Sequence, residues 1–367
     1  MTNFSADYRA FRLLTNSILI IAISAVAVLT GCAKRDAGLQ PGAPAATPAT
    51  IPGGAGSPEV KIVRLDPRFD ELVPAGSRVE KLADGYQWTE GPVWNRGDGY
   101  LLFTNIPGNE IVKWKEGEGA TRFLHPSGYS GEVPFTGREP GANGLTYDAN
   151  GRLVMCQHGD RQIGRLEADG RTVTPVIGRF EGKRFNSPND LTYNKKGDLY
   201  FTDPIYGLPK GADDPGRELD FCGVYRLDRA GKLTLLTREI TRPNGIAFSP
   251  DEKRLYVASS DPERAIWMVY DVKPDGGIGN GRVFFDATSQ VKEGRKGLPD
   301  GMKIDRAGNL FATGPGGVLV FSPDGTHLGT IDTGVPTANC AWGEDGRTLF
   351  ITANTALLRV RLTTSGF

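Results

Sequence analysis

The chain has 367 residues, and its 43 Lys and Arg balance its 43 Asp and Glu, so its formal net charge is zero. That balance offers no electrostatic pull toward nucleic acid or an acidic lipid surface, and neither is expected as a partner. The 49 glycines and 25 prolines mark many short turns, while the apolar content still allows a sizeable core.

Arg9 and Arg12 precede an apolar run from Ser17 to Leu29, which ends in Leu29-Thr30-Gly31-Cys32. A basic start, a short apolar stretch and small residues describe an export signal. The run is shorter than the roughly 20 residues that a spanning helix needs. Leu-Thr-Gly-Cys resembles a bacterial lipobox, implying cleavage before Cys32 and a lipid on its thiol; an uncleaved membrane anchor is the alternative. Residues 1–31 are thus expected to be a lipoprotein-type signal peptide. The Ala-, Pro- and Gly-rich residues 32–60 form a flexible tether, and 61–367 form the folded domain. The expected location is the periplasm or cell surface, with membrane contact only through Cys32. Cys156, Cys222 and Cys340 are an odd set for a disulfide framework, so buried thiols are expected.

Six segments then share one plan of two apolar strands around a turn, followed by a polar loop and a further strand. They run EGPVWNRGDGYLLFTN from Glu90, NGLTYDANGRLVMCQH from Asn143 and NDLTYNKKGDLYFTDP from Asn189. They continue as NGIAFSPDEKRLYVAS from Asn244, DGMKIDRAGNLFATG from Asp300 and NCAWGEDGRTLFITAN from Asn339. Repeats about 40 to 55 residues long, with about four short strands each and no long helical period between them, predict an all-β, six-bladed β-propeller. The last unit shows three strands, ending with Leu357 to Leu362. An orphan strand from Arg78 to Ala83 precedes the first unit. Pairing the two would close the ring and cover an exposed edge.

The first residues of the six units are Glu90, Asn143, Asn189, Asn244, Asp300 and Asn339. Innermost strands line a propeller's axis, so this phase sends six carboxylates or amides into one space. Turn chemistry accounts for the Asn residues about as well as function does. It accounts poorly for Glu90, and burying Glu90 and Asp300 without a cation is costly. One divalent cation is therefore expected, with Glu90, Asn189, Asn244 and Asp300 as ligands. Hard oxygen donors favour Ca2+ first, with Zn2+, Mg2+ or Mn2+ as alternatives. Asn143 and Asn339 are either further polar contacts or turn residues.

The loops after the second strands carry Asn105, His158, Asp203, Tyr206 and Asp261, which should rim this site. Asn143, His158, Tyr206 and Arg184 are the candidates to contact a substrate. The bland alternatives are a packed histidine, a tyrosine under its loop and a solvated arginine. Only three histidines occur, so a multi-histidine zinc site is not available. No G-x-S-x-G, H-E-x-x-H or Walker A string is present.

TEGPVW around Glu90, RFNSPNDL around Asn189, RPNGIAF around Asn244 and LPDGMKID around Asp300 resemble the gluconolactonase, senescence marker protein and luciferin-regenerating enzyme family. YFTDPIYG resembles its bacterial gluconolactonase branch, and the resemblance covers about residues 78 to 362. It implies a divalent ion held by Glu90, Asn244 and Asp300, with Asn189 close to metal and substrate. It also implies hydrolysis of a sugar-type lactone, with Asp300 as the base; from its place on the rim, His158 is the alternative base. Ser187-Pro188 separate Asn186 from Asn189, a spacing that departs from the animal members and bears on Arg184. The rival readings are a non-catalytic propeller that binds a sugar or cell-wall fragment around a structural calcium, and a hydrolase for non-sugar lactones.

Overall fold

The computed structural model describes residues 60–366. The expected signal peptide, Cys32 and almost all of the tether lie outside the described residues. Within them, six four-stranded antiparallel units surround one axis. The first blade comprises Thr89–Asn95, Tyr100–Asn105, Glu110–Lys115 and Gly119–Leu124. The second comprises Ala142–Tyr147, Leu153–Gln157, Gln162–Leu166 and Val173–Ile177, and the third Leu191–Tyr193, Leu199–Asp203, Gly223–Leu227 and Leu233–Thr237. The fourth comprises Pro243–Phe248, Arg254–Asp261, Arg264–Val272 and Ile278–Asp286. The fifth is built from Met302–Ile304, Leu310–Gly314, Gly317–Phe321 and His327–Asp332. The six-bladed propeller expected from the repeat is the observed fold.

Closure follows the expected route. Thr337–Gly343, Thr348–Ala353 and Ala356–Arg361 make three strands of the sixth blade, and Val79–Ala83 supplies the fourth, pairing Val79 with Val360 and Lys81 with Leu358. One strand was not foreseen: Lys61–Arg64 adds a fifth, outer strand to the fifth blade, pairing Lys61 with Asp332. Four residues are too few for a repeat to reveal, yet they cover an otherwise open edge. The helices Phe69–Leu72 and Thr288–Lys292 are likewise too short for a helical period to show.

The core explains why the second strands read as continuous apolar runs. Each sheet is buried on both faces, so alternating residues pack against different neighbours. Leu102 packs with Leu145 and Met155 of the second blade, while Leu101 and Phe103 pack with Phe350 of the sixth. Six such clusters fill the six blade-to-blade interfaces. Cys156 and Cys340 belong to these clusters, and all three described cysteines are buried and unbridged.

The innermost strands carry the device that positions the site. Their pairing shifts register between Glu90 and Val93, Ala142 and Leu145, Pro243 and Ile246, and Thr337 and Asn339. A bulge of this kind re-aims a side chain, here at the ring position. The residue that follows is glycine in four blades, because the next blade approaches closely, with its backbone at Gly91, Gly144 and Gly245 and with the Asn339 side chain at Gly301. A Cβ on Gly91 would sit 2.0 Å from the Asn143 carbonyl oxygen, and one on Gly245 2.2 Å from that of Asp300. Gly245→Ala is therefore expected to destabilise the fold by about 1–3 kcal/mol, read as a lowered midpoint of thermal unfolding. An unchanged midpoint would show that the blades can move apart at no cost.

Candidate metal and substrate site

At one mouth of the axis lies a cavity of about 410 Å³. Its floor is formed by Glu90, Asn143, Asn189, Asn244 and Asp300, five of the six ring residues. Trp88, Ile106, Val291, Leu298 and Pro336 make apolar walls, and Glu139, Tyr206, Ser260 and Thr337 add polar groups. The sixth ring residue, Asn339, donates from Nδ2 to Glu90 Oε2 at 3.2 Å. Its Oδ1 accepts from the Cys340 amide at 2.9 Å, so Asn339 braces Glu90.

Each floor residue is held by its own blade. Glu90 is 2% exposed, and its Oε2 also accepts from the Gly91 amide at 2.9 Å. Asn244 donates from Nδ2 to Ser260 Oγ at 2.9 Å, and Ser260 donates onward to the Pro299 carbonyl at 2.5 Å. This turns the Asn244 amide nitrogen outward and leaves its carbonyl oxygen to serve a ligand. Asn189 follows the 184–188 loop, which Asp203 clamps by accepting from the Asn186 and Ser187 amides at 2.9 and 2.8 Å. Asp203 thus shapes the floor from below. Burial pushes its carboxyl up to about 7 against those hydrogen bonds.

The floor brings acidic groups close together. Burial, reinforced by the charges of Asp190 and Glu139, pushes Glu90 up to about 8. Asp300 is raised well above the carboxylate range by burial, then by Glu90, Asp190 and Glu139. Asp300 Oδ1 is buried without a hydrogen-bond partner. A buried carboxylate and a half-buried one with an orphaned, buried oxygen, flanked by two amides, fit a hard divalent cation. Among the described residues no group of three or more His, Cys, Asp or Glu side chains is placed to hold a metal.

Two expected substrate contacts are placed elsewhere. Arg184 stands on the outer hairpin of Arg179–Phe180 and Lys183–Arg184, where its guanidinium donates to the Asp160 carbonyl at 3.4 Å. It does not line the cavity, and among the described residues no Lys or Arg does. His158 is fully buried behind Asn143 rather than on the cavity surface. Tyr206 does line the cavity, with a hydroxyl that lacks a partner. Asn105 accepts from the Gln87 amide at 3.2 Å and so anchors the segment carrying Trp88.

The repeat did not reveal Glu139, Ser260 or Asp190. Glu139 lies in the 125–141 connection, outside the repeated unit, where no phase can be read. Asp190 is 3% exposed and stands where four blades carry the close-packed glycine. That departure from the Asn-Gly pattern was its only signal. Burial raises the thiols of Cys156, Cys222 and Cys340, which suits packing and not nucleophilic attack.

The molecule is thus a six-bladed propeller with an acidic, oxygen-lined axial cavity. Residues 88–355 match the SMP-30/gluconolactonase/LRE-like region, and the chain belongs to that family. It is 40% identical over 331 residues to a gluconolactonase of Zymomonas mobilis, covering 87% of this chain and 93% of that protein. It is 33% identical over 269 residues to a 6-deoxy-6-sulfogluconolactonase of Pseudomonas putida, covering 72% and 82%. Among solved structures, a gluconolactonase from Xanthomonas campestris superposes with a TM-score of 0.72 at 32% identity, covering 85% of this chain and 99% of that one.

Proposed function

We propose that this protein is a divalent-cation-dependent lactonase that opens neutral, sugar-type lactones. The observation that carries the reading is the pairing of buried Glu90 with half-buried Asp300 on the floor of a substrate-sized cavity, with Asp300 Oδ1 itself buried and unpartnered. The relatives named gluconolactonase support the same chemistry.

Glu90, Asn189, Asn244 and Asp300 would hold the cation. When bound, it supplies Lewis-acid polarisation of an ester carbonyl. The chain's own residues do the rest. Trp88, Ile106, Val291, Leu298 and Pro336 seat the ring carbons and exclude bulk water. Asp300 accepts the proton of the attacking water through Oδ1, which no protein donor occupies. Asn339 and the Gly91 amide keep Glu90 from swinging into the cavity.

Substrate charge follows from the lining. Glu90, Glu139 and Asp300 face the cavity; the bound cation would offset Glu90 and Asp300, which leaves Glu139 uncompensated, with no Lys or Arg among the described lining residues. A neutral lactone is therefore favoured over one that carries a phosphate or sulfonate. Purified protein supplied with Ca2+ should release acid from glucono-1,5-lactone, and a chelator should remove that activity. The 6-phospho and 6-sulfo analogues should react at least about tenfold more slowly in kcat/KM, the factor that ~1.4 kcal/mol of repulsion produces. Binding of the lactone without turnover would contradict the reading. Equal rates on the anionic analogues would remove its charge selectivity.

A further inference from the structure

A chain of three side chains, two of them buried, runs from the loop above the cavity to its floor, and the hydrolytic steps do not use it. Glu139, on the 125–141 connection, places Oε2 3.1 Å from His158 Nδ1. His158 follows the strand Leu153–Gln157 and is 0% exposed. Its Nε2 lies 3.4 Å from Asn143 Nδ2. Asn143 is 3% exposed on the innermost strand Ala142–Tyr147, and its Oδ1 has no partner although the residue lines the cavity. The stem of His158 is closely packed. A Cβ on Gly207 would sit 2.7 Å from His158 Cβ, and the His158 amide is tied to the Gly141 carbonyl at 3.3 Å.

We infer that Glu139 and His158 are positioning residues that lock the Asn143 amide so that its carbonyl oxygen recognises a hydroxyl of the lactone. The inference rests on the lactonase reading above and deepens it to hydroxylated lactones. Its logic is donor and acceptor counting. A neutral imidazole has one donor and one acceptor nitrogen. Nδ1 makes no aligned hydrogen bond, but the Glu139 carboxylate 3.1 Å away favours the proton on that nitrogen, so Nε2 accepts. Asn143 must then turn its NH2 toward Nε2, and its carbonyl oxygen away from it. A buried carbonyl oxygen without a donor is costly, and a ligand hydroxyl removes that cost. Sites built this way discriminate strongly against analogues that lack the hydroxyl.

The experiment uses the full chain supplied with Ca2+, with glucono-1,5-lactone and unsubstituted δ-valerolactone as paired substrates. Asn143→Ala should lower kcat/KM for glucono-1,5-lactone about tenfold or more beyond any loss on δ-valerolactone, the size expected for one buried hydrogen bond. Glu139→Gln, at a side chain that is 30% exposed and so tolerant of change, should shift the same ratio in the same direction. That variant should raise KM for the hydroxylated lactone while kcat holds, because a glutamine no longer dictates which imidazole nitrogen carries the proton. Equal losses on both lactones in Asn143→Ala would overturn hydroxyl recognition. An unchanged ratio in Glu139→Gln would remove Glu139 from the relay while leaving the lactonase reading intact. Wild-type protein that opens neither lactone would instead remove the lactonase reading, and the relay with it.

Discussion

Asp300→Asn is expected to lower kcat for glucono-1,5-lactone by about 10³-fold or more while leaving the β-type circular dichroism spectrum unchanged. The magnitude reflects two losses at one atom: a general base, worth about 10²–10⁴-fold, and one of two negative ligands to the cation. The substitution is nearly isosteric, and Asp300 Oδ1 makes no hydrogen bond to break. The same change carries an opposite sign for stability. In cation-free protein the Asp300 and Glu90 carboxylates repel each other in a buried site. Asp300→Asn should therefore raise the unfolding midpoint of chelated protein at pH 8 while it destroys turnover. Glu90→Gln should follow the same pattern with less gain, because Glu90 Oε2 accepts from the Gly91 amide and Asn339. An Asp300→Asn enzyme with near wild-type kcat would sink the assignment of the base.

Stabilisation by Ca2+ is expected to be larger at pH 8 than at pH 6. Burial lifts Glu90 to about 8 and Asp300 well above the carboxylate range, whereas both ionise near pH 4 in the unfolded chain. Their folded-state pKa values are raised, so the cation-free fold binds more protons than the unfolded chain between those limits. Stability from this source is complete below about pH 4 and drains away as pH rises toward 8. A cation must displace the same protons, so its apparent affinity climbs by about tenfold per pH unit for each proton released. Thermal unfolding with excess Ca2+ and with chelator, at both pH values, measures the gap directly. A gap that is constant or narrower at pH 8 would show that Glu90 and Asp300 are not the ligands.

The two predictions concern residues that the repeat exposed. Glu90 and Asp300 share one phase with Asn143, Asn189, Asn244 and Asn339, and the structure places all six at the axis. Closure by Val79–Ala83 was legible for a related reason: a strand left over before the first unit and one missing from the last are complementary. Lys61–Arg64 was not, because four residues carry too little period.

The side chains above the ring behaved differently. Arg184 is near Asn189 in sequence, yet its guanidinium donates to the Asp160 carbonyl and does not line the cavity. His158 stands at the expected loop, but packing against Gly207 seats it behind Asn143. Glu139 was invisible because a non-repeating connection has no phase to align, although it reaches both the cavity and His158.

By itself the sequence determined the number of blades, the way the ring closes and the oxygen-rich floor of the site. Strand alternation and turn chemistry are local properties, repeated six times in register. Only the tertiary structure decided which groups face the cavity above that floor and which way the Asn143 and Asn244 amides point. Those outcomes depend on the path of connecting loops and on contacts between residues distant in the chain, which no local pattern encodes.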